Sequence, residues 1–197
     1  MGKIVLLDDL TINQIAAGEV IERPLSVVKE LVENSIDAGA TNIQIEVKNG
    51  GKTFIKVTDN GKGIVKNDLE ISFERHATSK IRRIEDLEKI ASMGFRGEAL
   101  ASIASISKVT MTSKTENENI GYKIINIAGK TDQIEEIAMQ NGTSIIVEEL
   151  FFNTPVRYKF LKQDSTEFKY IKEWIQKEAL VNSNISFKLF NCRWISF

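Results

Sequence analysis

Between Pro24 and Gly39 the apolar residues Val28, Leu31, Val32 and Ile36 return at intervals of three and four, with Ser35 among them. That period places them on one face of a helix. The helix starts at Pro24, where a first turn tolerates the missing N–H, and stops at Gly39. Its other side carries Glu30, Glu33, Asn34 and Asp37 within an arc of roughly 100°. Next, Asn42–Lys48 (NIQIEVK) and residues 53–59 (TFIKVTD) alternate apolar with polar, and Gly50-Gly51 between them suits a hairpin. Residues 66–72 and 84–91 read as short helices, and a glycine-flanked loop leads into a further helix over 97–104. From Lys108 the period returns to two. Residues 109–113, Gly121–Ile127, 133–139 and 143–149 read as antiparallel strands, with turns at Gly129 and Asn141-Gly142.

Residues 151–159 read as a loop carrying Pro155. Asp164-Ser165-Thr166-Glu167 matches a capping box with Asp164 as the cap. It opens a long helix whose face carries Phe168, Ile171, Ile175 and Ala179, and a last strand follows over 185–190. Helices and hairpin strands fall into separate blocks. The prediction is an α+β two-layer sandwich, a mostly antiparallel mixed sheet with helices on one face.

Composition narrows the function. The 197 residues, 42% hydrophobic and 27% charged, suit one sizeable core. A net charge of −1 argues against a strongly basic nucleic-acid binder and leaves only a local patch for such contact. The lone Cys192 rules out an intrachain disulfide, and the lone His76 leaves no histidine-rich metal centre. The opening MGKIVLLDDL is not a signal peptide, and no run is long enough to span a bilayer, so a reducing cytoplasmic setting without membrane contact is expected.

Three stretches carry possible chemistry, each with two readings. The acidic stripe is either a solvated helix face or the floor of a site. Asn34, a mediocre helix former, offers a hard oxygen ligand, and Glu30 one turn earlier is spaced to orient a water. Asp59-Asn60-Gly61-Lys62-Gly63 is either a plain turn or a pocket wall. An aspartate at a strand end can accept from an exocyclic amine, and glycines let a flat base come close. It is not a Walker A loop, because no Gly-Lys-Ser/Thr follows. Gly94-Phe95-Arg96-Gly97-Glu98-Ala99-Leu100 is either an ordinary helix entry or a phosphate cradle, with Thr78, Ser79 and Lys80 close in sequence to add hydroxyls and charge.

In this order, and with Thr143 in NGTSIIV, these stretches resemble the four-motif nucleotide site of the GHKL (Bergerat-fold) ATPases. That superfamily takes in gyrase-type topoisomerases, a class of heat-shock chaperones, histidine kinases and the MutL mismatch-repair proteins. NQIAAGEVIERPLSVVKELVENSIDAGAT, DNGKGI, RHATSKI, GFRGEALASI and LFFNTPVRYKFL resemble MutL nearly word for word, over residues 1 to about 190. The resemblance implies an ATP-binding and ATP-hydrolysing domain with Mg²⁺. Glu30 would be the general base and Asn34 the protein ligand of the metal. Asp59 would read the adenine amino group, with Thr143 supporting it through water, while Gly61 and Gly63 admit base and ribose. Thr78, Ser79, Lys80 and Gly94 to Leu100 (Gly94, Phe95, Arg96, Gly97, Glu98, Ala99, Leu100) would form a lid over the phosphates. His76 is expected to serve packing or the lid. Arg157, Lys159 and Lys162 are expected to belong to a sheet-to-helix junction more than to a DNA surface.

The resemblance also implies an organisation: residues 1–22 as an arm ordered by nucleotide, 23–190 as the ATP-binding domain, and 191–197 as a divergent or truncated tail. Arm residues Ile12, Ile15 and Val20 would form part of a nucleotide-dependent homodimer. Mismatch-recognition and downstream repair proteins would be partners of the parent, nucleoid-associated in function, and DNA contact by this stretch alone would be weak or absent. A second, ribosomal S5-like domain with a phosphate-binding lysine is not within these residues. Two expectations therefore compete: a weak ATPase, or a nucleotide-gated interaction module that binds without turnover. Phosphate release compared with a longer chain that includes the second domain checks this, since equal rates would remove any need for the lysine.

Overall fold

The computed structural model describes residues 5–6, 9–78, 80 and 97–192. The expected helix over 84–91 lies outside them. In chain order the elements are α1 (Asp9–Val20), α2 (Pro24–Asp37), β1 (Asn42–Lys48), a 3-10 turn (Asn49–Gly51), β2 (Phe54–Asp59), α3 (Lys66–Ile71), α4 (Ala99–Ser105), β3 (Lys108–Lys114), β4 (Gly121–Ile127), β5 (Lys130–Thr131), β6 (Glu135–Ile137), β7 (Gly142–Glu148), α5 (Pro155–Phe160), α6 (Asp164–Val181) and β8 (Ser186–Asn191). The strands form one eight-stranded sheet in the order β5-β4-β3-β7-β2-β1-β8, with β6 also on β4. All pairs are antiparallel except β1 with β8. This is the expected α+β architecture.

Alternation gives the sheet two unlike faces. Ile43, Ile45 and Val47 of β1, Ile55 and Val57 of β2, Val109 and Met111 of β3, and Ile145 and Val147 of β7 are buried together. Val27, Val28, Leu31 and Val32 of α2, Ile103 of α4, and Ile171 and Ile175 of α6 cover them. The other face is polar: Lys56 pairs with Glu46 at 3.3 Å, and the Thr58 and Ser144 hydroxyls meet across strands at 2.9 Å. The helices therefore lie on one side, and everything α2 presents toward the sheet is on that side.

Two segments depart from the pattern. Residues 151–159 are not a loop throughout: Pro155 opens α5, a use of proline at the first helical position rather than as a stop. Residues Asp9–Val20 form α1, which packs against α4 and buries Ala17, with Ile21 buried just beyond it. Of the arm residues expected to want a partner, Val20 packs against the core, whereas Ile12 and Ile15 are 40% and 51% exposed. Arg157 of α5 lies across Gly18 and donates to the Ile15 carbonyl at 3.4 Å; a Cβ at Gly18 would collide with the guanidinium.

The capping box also resolves differently. The helix already begins at Asp164, with Gln163 flanking and no side-chain cap. Asp164 instead pairs with Lys52 at 2.8 Å, and buried Glu167 accepts the Lys162 N–H at 2.8 Å. The tie is to the preceding loop, not to the helix's own free donors. Smaller shifts leave β6 at three residues within the expected 133–139 and move the last strand on by one.

Phe151 locks the sheet to α5. It is 1% exposed at φ 67°, and its N–H donates to the Ile106 carbonyl at 2.8 Å. Phe151→Ala is expected to cost about 3–5 kcal/mol in urea unfolding, whereas Phe160→Ala, with a side chain 78% exposed, should stay within about 0.5 kcal/mol.

Candidate functional site

Asp59 ends β2 at the edge of the loop 60–64. Its Oδ1 accepts the Gly61 N–H at 2.8 Å and its Oδ2 accepts the Ser35 hydroxyl at 2.8 Å. Burial pushes the carboxyl above the ordinary aspartate range, against the opposing pull of donors from Gly61, Ser35 and Thr143. Thr143 pairs with Asp59 across β2 and β7 and is 8% exposed; its hydroxyl meets the Ser113 hydroxyl at 3.0 Å. Ser113 also accepts the Ile64 N–H at 2.8 Å, so β3, β7 and the glycine loop share one hydroxyl. Asn60 fixes the turn from the other side, its Oδ1 accepting the N–H groups of Thr41 and Asn42 at 2.9 and 2.8 Å.

The loop is tied to the end of α2 by the Lys62 N–H, which donates to the Ala38 carbonyl at 3.0 Å. A Cβ at Gly61 would stand 2.8 Å from that of Ala38. Gly63 has φ 72°, and a Cβ there would come within 2.2 Å of the Lys114 carbonyl. The chain's own packing against β3 therefore demands glycine at 63, before any ligand is considered.

The stripe on α2 forms the second half. Lys80 reaches it with its ammonium, 2.6 Å from Asp37 Oδ2 and 3.1 Å from Asn34 Oδ1. The Asn34 carbonyl oxygen is thus already aimed at a cation, as a ligand to a hard metal must be. Burial raises the Glu30 carboxyl above the ordinary glutamate range, and the charges of Lys29 and Lys80 oppose this. Glu33 is raised as well, first by burial, and Lys29 lies 3.7 Å from it. The stripe is therefore partly enclosed rather than a fully solvated face.

The two halves adjoin through neighbouring residues of α2. Asn34 faces Lys80 while its neighbour Ser35 bonds Asp59, so the amide oxygen and the carboxylate lie on the helix side of the sheet. Of the expected lid, Ser79, Gly94, Phe95 and Arg96 lie outside the described residues. Thr78 Oγ1 accepts the Lys80 N–H at 3.2 Å. Gly97 has φ 63° and lies where a Cβ would strike the Ala77 carbonyl, and Glu98 approaches His76 Nδ1 at 3.2 Å. His76 is thus paired with the residue that precedes α4, next to Gly97. Ala99 begins α4, and Leu100 packs against the core.

Sequence reasoning missed Ser35 and Ser113. A serine set into an apolar helix face was the available sign for Ser35. Ser113, at an inward position of β3, gave a weaker one.

A family model described as histidine kinase-, DNA gyrase B- and HSP90-like ATPase matches residues 22–151. The chain is 53% identical over 197 residues to the DNA mismatch repair protein MutL of Caldanaerobacter subterraneus subsp. tengcongensis, covering all of this chain and 33% of that protein. It is also 53% identical over 191 residues to MutL of Clostridium tetani, covering 97% of this chain and 31% of that protein. The chain thus spans about a third of the length of these curated relatives. Among solved structures it is similar to the Aquifex aeolicus MutL ATPase domain complexed with ADP, with a TM-score of 0.71 and 40% identity over 87% of this chain and 61% of that one. It is similar too to the N-terminal domain of a DNA repair protein, with a TM-score of 0.77 and 33% identity over 91% of this chain and 52% of that one.

A carboxyl held above its usual range adds stability at low pH that is lost as pH rises through the folded-state value. Asp59→Asn removes that loss. The ligand-free variant should therefore melt higher than wild type at neutral pH, and the gap should shrink toward the ordinary aspartate pKa of about 3.9. A wild type that melts higher at pH 7 would contradict the burial penalty.

Proposed function

The chain belongs to the histidine kinase-, DNA gyrase B- and HSP90-like ATPase family, within it to the MutL proteins of DNA mismatch repair, and from that membership we propose that it binds ATP with Mg²⁺ and hydrolyses it to ADP and phosphate. One observation carries the proposal: α2 offers a cation-facing amide at Asn34 and, one residue on, a hydroxyl bound to the partly buried Asp59 carboxylate. The triphosphate and the base need these two groups on the same side of the sheet.

The residues divide the work. Asp59 accepts from the adenine amino group, and Thr143, held by Ser113, supports it through water. Gly61 and Gly63 keep the loop low enough for base and ribose. Asn34 would hold Mg²⁺, and for this Lys80 must release the amide oxygen it now occupies. The metal, when bound, supplies charge neutralisation across the phosphate oxygens. Glu30 orients the attacking water and takes its proton, and its raised pKa brings it nearer working pH as a base. No covalent intermediate is needed, since positioning and electrostatics suffice for phosphoryl transfer to water. Thr78, Ser79, Lys80 and residues 94–100 close over the phosphates, with Gly97 and the His76–Glu98 contact at the root.

The exposed Ile12 and Ile15 of α1 suit the pairing of two such domains once nucleotide is bound. Mismatch-recognition and downstream repair partners, and nucleoid association, belong to the same proposal for the whole protein. Arg157 spends one of its donors on the Ile15 carbonyl of α1, a contact that serves the junction between α5 and α1.

Binding and turnover separate experimentally. ATP with Mg²⁺ at a hundredfold above Kd should stabilise the chain by about 2.7 kcal/mol, a rise of about 5–10 °C in Tm at this size. Glu30→Ala should keep most of that rise while phosphate release falls about 10²–10⁴-fold. No thermal shift for the wild type would end the proposal. Undiminished release from Glu30→Ala would remove Glu30 from its role.

A further inference from the structure

Among the buried residues of α2, Ser35 alone is polar, and it is 3% exposed. Its hydroxyl has one proton and two acceptors in reach, Asp59 Oδ2 at 2.8 Å and the Leu31 carbonyl at 3.0 Å. The Leu31 carbonyl already has a helical partner, the N–H of Ser35 itself, since helix bonds run from residue i to i−4. An ionised carboxylate is also the stronger acceptor. The proton therefore goes to Asp59. With Oδ1 held by Gly61, the carboxylate is fixed at both oxygens and cannot rotate.

We propose that Ser35 is a positioning residue that sets base specificity: its hydroxyl orients the Asp59 carboxylate so that its remaining lone pairs face an incoming exocyclic amine. The preferred ligand class is then the 6-aminopurine nucleotides, chosen over purines that lack that amine. The inference rests on the ATP reading above and adds to it the residue that makes Asp59 selective. Ser35 touches no nucleotide in this scheme. It acts only through Asp59.

The geometry explains why the hydroxyl matters more than its volume. Without it, Asp59 Oδ2 loses its one side-chain donor, and the carboxylate is held only by the backbone N–H groups of Gly61 and Thr143 about a torsion that is broad for aspartate. An amine would then meet a less firmly oriented acceptor. A base without the amine would not register the change, because it never used that acceptor.

The test is a ligand-by-residue cycle on the full 197-residue chain. Equilibrium affinities with Mg²⁺ are measured for ATP and for purine riboside 5′-triphosphate, which lacks the 6-amino group, using wild type, Ser35→Ala and Ser35→Cys. Wild type should prefer ATP. In Ser35→Ala that preference should fall about tenfold, through weaker ATP binding, while affinity for the analogue without the 6-amino group stays within about twofold. Ser35→Cys, with a weak donor of similar shape, should lie between the two. Equal weakening for both ligands, or an unchanged ratio, would reduce Ser35 to a packing residue and overturn the proposal. A wild type that binds ATP and the analogue equally would instead remove the amine-reading role of Asp59 itself.

Discussion

A carboxylate kept out of water at the end of a strand needs donors around it, and the arrangement of α2, β2 and the glycine loop follows from that need. Asp59 takes one donor from the backbone of Gly61 and one from Ser35 on the facing helix. A third, the Thr143 N–H, belongs to the neighbouring strand. Helix, turn and sheet are thereby brought to one point, and burial still leaves the acid harder to ionise than usual. Such a group costs stability in the empty protein and repays it only when a ligand donor arrives. If Asp59 reads a ligand as proposed, stability and recognition pull apart at this residue.

The same economy runs along α2. Its sheet-facing side is aliphatic, which fixes the helix against β1 and β2, while its other side gathers Glu30, Glu33, Asn34 and Asp37 under partial cover. Like charges at that density repel unless a cation sits among them, and Lys80 supplies one. An internal ammonium in contact with the amide oxygen would make the proposed cation binding an exchange rather than an addition. The contact also ties the first part of the expected lid to the helix that would hold the metal.

Sequence period located β1 and β4 to the residue, and the start of α2 at Pro24 with its end within two residues, because their apolar positions recur regularly. It missed α1, where DLTINQIAAGEV lacks a clean apolar stripe and the helix depends on docking against α4. It missed α5 because Pro155 served to begin a helix. The supposed cap at Asp164 failed because a nearby lysine competed for the carboxylate and Glu167 found a loop N–H. For the site, Asn34 and Asp59 were legible as residue types in order. Their junction was not, since Ser35 sat on the apolar side and its hydroxyl matters only through a strand 24 residues away.

The guanidinium of Arg157 lying over Gly18 bears on how movement would spread. Asn153, four residues before it, donates to the Ser105 carbonyl at 2.8 Å, and Phe151 donates to Ile106, so the start of the junction is fastened to the end of α4. The helix that begins beside Gly97 and the helix that contains Gly18 are therefore joined twice, by their direct packing and through this bracket, so a displacement of one is passed to the other by two routes. A side chain at 18 would push the Arg157 guanidinium aside, weakening the second route and leaving the first.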